Sequence, residues 1–403
     1  MTTGRRPVRS VIRAVSDAAR RWSDGDFPPR VRTLAAVSRR TGYSSPVAEY
    51  ALDRLFSSIS NDALVATIAG ELGSLDALDG FVDRNGMRVR ALPAGRTCII
   101  SSRTTIGVAI VPAVFAICAG CDVMVKDRED HMVDAFFRTL LEELPDLSQR
   151  IAAQTWDGFA SERDLRDFDT VVAFGDRTSL ETIRALCAAE SRFIAYGPRT
   201  SAGYVARESL EGDVEALVRE AARDAVLYDT EGCLSLRTIF VERGGAISPE
   251  DFFSALAREM ERAAVEFPPS RNDPAAIAAV AAAHDLGAFR AANGQGTVRT
   301  DAARSYVAVF DGGFERAPDF LPRTVAVFPV DAPSQAADYL RQHALPIEAW
   351  SASSQRADIV DAAIASGAAR VAAFGALQNP PLSTPHGGRP RIAEFVRWVS
   401  DER

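Results

Sequence analysis

Lysine is nearly absent from this chain, and its shortage raises the first question. Among 46 lysine and arginine residues only one is a lysine, Lys126, and the chain has only four histidines. A coding bias toward arginine would explain the shortage. The alternative is that Lys126 persists because a compact ammonium does something that a planar guanidinium cannot.

A basic surface and a long apolar run are also missing. The formal net charge is −8, so there is no global positive field to attract nucleic acid. The longest apolar stretch, residues 106–120, is interrupted by Pro112 and is shorter than the roughly 20 residues that span a bilayer. We predict a buried helix there. The arginine-rich N-terminus lacks a continuous apolar core, so we predict neither a signal peptide nor membrane insertion.

Cysteine is scarce as well. Five cysteines in 403 residues are not typical of a disulfide framework and favour a reduced, cytoplasmic setting. Cys118 and Cys121 have the C-A-G-C spacing of a redox pair or half a zinc site. No second pair and no histidine pair accompanies them, so we interpret them as core residues, like Cys98 and Cys187, and predict no metal site.

The sequence does contain a clear change of pattern. Before about residue 80, apolar residues recur at helical spacing, as at Val8, Ile12, Val15, Ala19 and Trp22. From about residue 85, short apolar runs alternate with helical segments, which is typical of a mostly parallel sheet with helices on both faces. The predicted strands of this part cover residues 97–102, 122–126, 170–175 and 192–197.

A second α/β unit follows this first one. It includes a predicted strand at residues 238–243 and an alanine-rich helix at residues 275–292. Residues 379–403 are predicted to begin as a loop and to end as a short helix. The predicted fold class is therefore α/β, with a helical region at the N-terminus.

Cys233 is the cysteine with the strongest claim to chemistry. It follows Gly232 in the polar segment "LYDTEGCLSLRTIFVE", just ahead of a predicted strand. A nucleophilic thiolate needs exposure and local positive character, and the backbone N–H of Cys233 could donate to an oxyanion formed by attack of its own sulfur. The alternative is a half-buried thiol in an ordinary turn.

Candidate cofactor residues lie where predicted parallel strands end. Such ends bind ligands in open α/β sheets, so Lys126 could donate to ribose or phosphate, and Glu129 could accept from a ribose. Gly175 ends another strand, and Thr178 or Ser179 starts a helix whose N–H groups suit a pyrophosphate. The alternatives are a solvated Lys126 and a helix-capping Glu129. The GxGxxG and P-loop fingerprints are absent.

Taken in order, these segments resemble the aldehyde dehydrogenase superfamily, and more closely its fatty acyl-CoA reductase (LuxC-like) family. The likeness lies in Lys126 at a strand end, then "VVAFGDRTSLETIR", "RFIAYGPRTSAGYV" and "YDTEGCLSLRTIFVE". The tail "NPPLSTPHGGRPRIAEFVRWV" and the N-terminal "TGYSSPVAEYALDRLF" also resemble that family. The likeness covers most of the chain.

The resemblance implies an aldehyde-dehydrogenase-like fold and a two-step reaction. Residues 1–84 would form the helical region, 85–206 a Rossmann-type cofactor domain and 207–378 the catalytic domain, while 379–403 would pack back or contact another copy. Cys233 would attack an acyl thioester, of CoA or an acyl-carrier protein. NADPH or NADH would then deliver hydride to the acyl-enzyme, giving an aldehyde.

The resemblance also assigns residues to the cofactor. Lys126 would contact the adenosine ribose, with Glu129 beside it, and Gly175, Thr178 and Ser179 would face the pyrophosphate. Gly197 would be a further cofactor contact. Arg128 would favour the 2′-phosphate of NADPH and Glu129 would repel it, so the sequence leaves the choice of cofactor open.

A missing carboxylate indicates the reaction class. Hydrolytic aldehyde dehydrogenases place a glutamate base in the segment matching "IAYGPRT", where this chain has Tyr196, Gly197 and Pro198. Without a base to activate water, the acyl-enzyme should be reduced or handed to a better nucleophile. Glu231 is a possible substitute base, although an exposed turn carboxylate is the simpler interpretation.

Other departures weaken the likeness. The family usually has an oxyanion-stabilising asparagine where we place Thr104, and a proline where Leu236 stands. Losing one oxyanion donor can cost roughly 10²- to 10³-fold in rate. In the tail, "STPHGG" replaces the family's tryptophan, paired histidines and aspartate, and we expect its His386 to be a solvated loop residue.

Two other functions stay open at this point. One is an acyltransferase that passes the acyl group from Cys233 to an amine or thiol without hydride transfer. The other is a non-catalytic subunit that binds a partner enzyme. This function is suggested by the missing oxyanion-stabilising asparagine. Acyl length and a homo-oligomeric state are beyond the sequence.

Overall fold

The chain folds into two compact units. The computed structural model describes residues 6–102, 105–128, 131–156, 165–270, 274–313 and 321–403. The first unit comprises Met1–Thr41, Ala48–Pro198 and Pro381–Arg403, and the second comprises Gly42–Val47 and Arg199–Pro380. The division into functional domains at residues 84, 206 and 378 stays a prediction.

The N-terminal region is helical, as predicted. The apolar residues at helical spacing in the first helix, from Val8 to Trp22, are all buried, and the Trp22 indole donates to the Thr139 hydroxyl at 3.0 Å. Ser60 caps the fourth helix by accepting from the Ala63 N–H at 3.2 Å. The helices of this region are α1 (Val8–Trp22), α2 (Pro28–Thr41), α3 (Ser45–Ser58), α4 (Asn61–Leu72) and α5 (Asp76–Asp79).

The first unit contains a parallel five-stranded sheet and a small antiparallel one. The predicted β-α-β alternation is confirmed, because four of the five parallel strands fall on the predicted segments. The strands are β1 (Val82–Arg84), β2 (Met87–Pro93), β3 (Arg96–Ile100), β4 (Asp122–Lys126), β5 (Ile151–Gln154), β6 (Thr170–Phe174) and β7 (Arg192–Tyr196); the helices are α6 (Ile110–Ala119), α7 (Met132–Glu143) and α8 (Arg177–Ala185). The parallel order is β5-β4-β3-β6-β7.

The second unit is built on one sheet of seven strands. Its members are β8 (Thr200–Val205), β9 (Leu236–Glu242), β10 (Thr297–Arg299), β11 (Val307–Phe310), β12 (Thr324–Val330), β13 (Ile347–Ala352) and β14 (Arg370–Ala372), in the order β10-β11-β12-β9-β8-β13-β14. All neighbours are parallel except β10 and β11. The helices are α9 (Val214–Val226), α10 (Pro249–Glu266), α11 (Pro274–Ala292), α12 (Pro333–Gln342) and α13 (Ala357–Ala365). Every residue of β8, β9, β12 and β13 is buried, as in sheets covered on both faces.

The end of the tail does not form the helix that we predicted from its sequence. A short 3₁₀ turn at Ala393–Phe395 leads into strand β15 (Val396–Asp401), which pairs antiparallel with β2. Valine and tryptophan suit a pleated surface, and the Arg84 guanidinium lies 4.8 Å from the Trp398 ring centroid. The partner strand β2 lies about 300 residues earlier in the chain; for example, Arg88 and Asp401 are 313 positions apart. A local sequence pattern therefore could not reveal this pairing.

Helix α11 is long and apolar enough to cross a membrane by length and composition alone. One such helix is weak evidence of a membrane span. Its Gly287 lies so close to β10 that a Cβ there would be 3.1 Å from Val298. We therefore interpret α11 as a helix of the second α/β unit.

Candidate active site

Cys233 lies on the corner of a tight turn at the start of β9. The Ser235 N–H donates to the Gly232 carbonyl at 3.0 Å, so Cys233 and Leu234 are the two central residues of a β-turn. The Ser201 hydroxyl of β8 donates to the Cys233 carbonyl at 2.8 Å and ties the turn to the sheet. Cys233 is half-buried, so it retains some exposure to solvent.

The surroundings of the Cys233 thiol oppose its ionisation. Burial, followed by the charge of the Glu348 carboxylate, raises the pKa of Cys233 to about 12. Hydrogen bonds from the Cys233 and Leu234 N–H groups, and the positive charge of Arg199, act in the opposite direction. Arg199 also lies 3.5 Å from Glu348. The resting residue is therefore a thiol, set beside groups that stabilise negative charge on sulfur.

The backbone ahead of Cys233 is strained. Tyr228, Asp229 and Thr230 all have left-handed φ angles, of 56°, 51° and 58°. For residues other than glycine this conformation costs roughly 1–2 kcal/mol each, and such strain persists only where the surrounding structure imposes it. The turn that carries the thiol is thus held in place by contacts from elsewhere in the second unit.

A buried ion pair supplies the main contacts. The Arg323 Nε lies 2.5 Å from the Asp229 Oδ1, with both side chains at most 5% exposed. The Ser270 N–H donates to the Asp229 carboxylate at 2.9 Å, and the Arg323 guanidinium donates to the Phe267 carbonyl at 2.6 Å. The sequence does not reveal this pair, because no local signal links residues 94 positions apart.

A tyrosine from the N-terminal region holds the same turn. Residues 42–47 belong to the second unit, and the buried Tyr43 hydroxyl lies 3.4 Å from both the Tyr228 carbonyl and the Glu231 carboxylate. Burial, followed by the Glu231 charge, raises the pKa of Tyr43 well above its usual value. Tyr43 therefore stays protonated and can donate to the turn. Glu231 itself is exposed.

In the first unit, Lys126 lies at the carboxyl end of β4, as the strand prediction required. Its side chain is buried, and its ammonium lies 4.9 Å from the centroid of the Trp156 ring, within cation–π range. Lys126 is in register with Gln154, the last residue of β5, so Trp156 follows the neighbouring strand end. Trp156 carries no motif in the sequence that predicts this contact.

Helix α8 begins at Arg177 and is capped by Asp176. The Asp176 carboxylate accepts from the Ser179 N–H at 2.8 Å and from the Ser179 hydroxyl at 3.0 Å, and these bonds lower its pKa. The first turn that includes Thr178 and Ser179 thus already faces a negative group. The Gly175 N–H donates to the Tyr196 carbonyl at 3.2 Å. The pyrophosphate contacts assigned to these residues stay predictions. Asp176 would compete with a pyrophosphate for the donors of Ser179.

An aromatic cluster covers the ends of β6 and β7. The Tyr196 ring stacks on Phe174 at 4.9 Å and on His386 at 4.0 Å. His386, which we expected to be a solvated loop residue, is half-buried in this cluster, and reciprocal backbone hydrogen bonds between His386 and Arg389 fold its loop into a tight turn. Gly197, the other cofactor residue predicted here, directly follows Tyr196 and is half-buried.

Two predicted site residues, Thr104 and Glu129, lie outside the described residues. Among the other cysteines, Cys118 and Cys121 are buried, and burial raises the pKa of Cys118 to about 12, as expected of core thiols. All five cysteines are free. Over the described ranges, no group of three or more His, Cys, Asp or Glu residues could hold a metal ion.

Comparison with known proteins identifies the family. Residues 4–398 match the family described as acyl-CoA reductase (LuxC). The chain belongs to this family. The predicted resemblance to LuxC-like proteins, and with it the predicted enzyme class, is confirmed.

The similar proteins that are named are distant in sequence. The long-chain acyl-protein thioester reductase of Photorhabdus luminescens is 19% identical over 98% of this chain and 82% of its own length. The protein of the same name from Aliivibrio fischeri is 19% identical over 66% of this chain and 56% of its own length.

Solved structures confirm the aldehyde-dehydrogenase-like α/β fold. An oxidoreductase from Marinobacter aquaeolei has a TM-score of 0.76 at 14% identity, covering 100% of this chain and 87% of its own. An NAD-dependent benzaldehyde dehydrogenase from Corynebacterium glutamicum has a TM-score of 0.71 at 14% identity. The match covers 99% of this chain and 87% of the dehydrogenase chain.

Proposed function

We propose that this protein reduces an acyl thioester to an aldehyde through an acyl-enzyme on Cys233. The observation that carries the proposal is the placement of Cys233, a half-buried residue on a turn corner, where the Cys233 and Leu234 N–H groups and Arg199 favour negative charge on its sulfur. Membership of the acyl-CoA reductase family supports it. A cysteine at this position can form a covalent acyl intermediate once its proton is removed.

The first step uses only the chain's own residues and the thioester. The Cys233 sulfur bonds to the acyl carbon, the bond from that carbon to the carrier sulfur breaks, and the thiol proton passes to the departing carrier thiolate. Because the pKa of Cys233 is about 12, this proton leaves during attack rather than before it. Arg199 and the N–H groups of Cys233 and Leu234 stabilise the negative charge that develops.

The fate of the acyl-enzyme follows from the segment 196–198, Tyr-Gly-Pro, which has no carboxylate. Without a base at this segment to activate water, hydrolysis of the acyl-enzyme thioester is slow. A reduced nicotinamide cofactor, when bound, supplies the hydride that brings the acyl group to the aldehyde level.

In the first unit, the residues around Lys126 fit a nucleotide, whereas Asp176 at the start of α8 opposes one. The buried Lys126 ammonium and the Trp156 ring offer a hydrogen-bond donor and an aromatic surface at the carboxyl edge of the sheet, so Lys126 would hold the adenosine ribose. At α8, the Ser179 N–H already donates its hydrogen bond to the Asp176 carboxylate. Gly175, Thr178 and Ser179 would hold the pyrophosphate only after Asp176 releases that donor.

The finer assignments of substrate and cofactor are part of the proposal. Acyl-protein thioesters are named as substrates of the relatives, so an acyl group on a carrier protein is the substrate that we assign, with acyl-CoA as its analogue. Either NADH or NADPH is compatible with the residues described. A cytoplasmic location agrees with five free thiols.

One observation favours a second function, acyl transfer without reduction. Asp176 places a negative charge at the helix end where a pyrophosphate would bind. If that charge excludes the cofactor, Cys233 would still form the acyl-enzyme and pass the acyl group to an amine or a second thiol.

Adduct mass and cofactor consumption test these functions together. Wild type incubated with dodecanoyl-CoA should gain one dodecanoyl group, Cys233→Ala should gain none, and Cys187→Ala, which removes another half-buried thiol, should behave as wild type. Adding NADH or NADPH should then discharge the adduct with equimolar aldehyde and loss of nicotinamide absorbance. An adduct that neither cofactor discharges favours acyl transfer. No adduct on Cys233 contradicts both functions.

A further inference from the structure

The second unit contains a cavity of about 270 Å³ beside the turn that carries Cys233. We propose that this cavity binds the hydrocarbon chain of the acyl group. The inference rests on the proposed function, because it extends the Cys233 site by assigning a subsite to its substrate. Its volume is near the lower end for small-molecule pockets.

One face of α11 forms the apolar wall of the cavity. Its contributors are Ala276, Ile277, Val280 and Ala281, whose spacing places them on a single side of the helix. None of these side chains can donate or accept a hydrogen bond. Such a wall suits a saturated chain, which needs contact and the exclusion of water but no polar partner.

The strained turn forms another part of the lining. Glu231, two residues before Cys233, lines the cavity, and two residues of chain reach at most about 7 Å. The Cys233 backbone therefore lies within about 7 Å of a residue that lines the cavity. The buried Asp229 and Arg323 side chains also line it and neutralise each other, which leaves the exposed Glu231 as the charged group of this wall.

The polar residues that line the cavity include Arg304, whose side chain is 45% exposed. Glu231 is also exposed. Exposed charges of this kind mark a mouth in contact with solvent, while the α11 wall is apolar. A ligand that enters with its reactive end at Cys233 and its tail against α11 matches both parts.

The inference predicts a dependence on acyl length. Each methylene moved from water to an apolar site is worth about a fourfold gain in affinity. KM should therefore fall by up to fourfold per methylene from acetyl-CoA through butyryl-CoA to octanoyl-CoA, and level off once the cavity is filled.

A matched pair of substitutions on α11 tests the site. Ala281 lines the cavity, whereas its neighbour Ala282 is exposed and is not part of the lining. Ala281→Phe should raise the KM for octanoyl-CoA at least tenfold and leave the KM for acetyl-CoA unchanged. Ala282→Phe should change neither value. Thermal unfolding of both variants checks that they fold.

Two results would overturn the inference. In one, Ala281→Phe affects acetyl-CoA and octanoyl-CoA equally; in the other, Ala282→Phe gives the same length profile as Ala281→Phe. Direct binding of dodecanoate by calorimetry separates this inference from the reaction. Dodecanoate that binds wild type and Ala282→Phe but not Ala281→Phe supports the cavity even if no thioester is reduced, and dodecanoate that binds all three equally refutes it.

Discussion

The turn at Cys233 and the carboxyl edge of the first unit's sheet are built in different ways. At the edge, Lys126 and Gly175 are placed by the ends of regular parallel strands. At the turn, three successive residues are left-handed, and contacts from residues 94 and 185 positions away hold them. The edge depends on local sequence, and the turn depends on tertiary contacts.

This difference indicates where each region is vulnerable. A residue at a strand end keeps its place when a neighbour changes, because the sheet's backbone hydrogen bonds fix it. The turn stays strained only while Asp229, Arg323 and Tyr43 are present. Substitutions at the edge should therefore change binding with little loss of stability, whereas substitutions around the turn should change stability and thiol chemistry.

The largest effect is expected from the buried ion pair. Arg323→Gln leaves the Asp229 carboxylate buried without its charge partner, and breaking such a pair costs about 3–5 kcal/mol. We expect the free energy of unfolding, measured by urea denaturation, to fall by that amount.

A surface ion pair in the same unit provides the control. Arg243 lies 3.0 Å from Asp331, with their side chains 45% and 65% exposed, and exposed pairs contribute about 0–1 kcal/mol. Arg243→Gln should therefore leave the urea midpoint almost unchanged. Equal losses in the two variants would mean that the turn has no special dependence on the Asp229–Arg323 pair.

The next effect concerns the thiol. Because the pKa of Cys233 is about 12, its alkylation by iodoacetamide should accelerate tenfold per pH unit between pH 7 and pH 10. Glu348 raises this pKa, so Glu348→Gln should lower it, and one unit of pKa means roughly tenfold more thiolate at pH 8. Arg199→Gln should slow the reaction instead. Mass spectrometry of the Cys233 peptide measures both rates.

The same contrast explains what the sequence could and could not predict. Lys126 at a strand end, and Cys233 in a turn before β9, follow from patterns within a few residues. The Asp229–Arg323 pair, the stacking of His386 on Tyr196 and the pairing of β15 with β2 do not. Each joins segments far apart in the chain, whose meeting depends on tertiary packing and leaves no trace in local periodicity.

A smaller effect is expected at Lys126. Removing a charged donor to the ribose, as in Lys126→Met, should raise the dissociation constant for NADH or NADPH roughly tenfold, while unfolding changes little. Lys126→Arg should not restore binding, because guanidinium and ammonium differ in shape and hydration. Quenching of Trp156 fluorescence by the cofactor, absent in Trp156→Phe, provides the readout. If Lys126→Met binds the cofactor with the dissociation constant of the wild type, Lys126 does not contact the ribose.

The smallest effect is expected at Asp176. Its lowered pKa keeps the carboxylate ionised at neutral pH, at a helix end that otherwise attracts anions. Asp176→Asn keeps a good capping residue but removes the charge, so cofactor affinity should rise about threefold if the pyrophosphate lies at α8. Asp213→Asn, at the equivalent cap of α9, is the matched control and should leave affinity unchanged. An unchanged dissociation constant in Asp176→Asn would place the pyrophosphate away from Thr178 and Ser179, and the edge would then hold the cofactor by Lys126 and its aromatic neighbour alone.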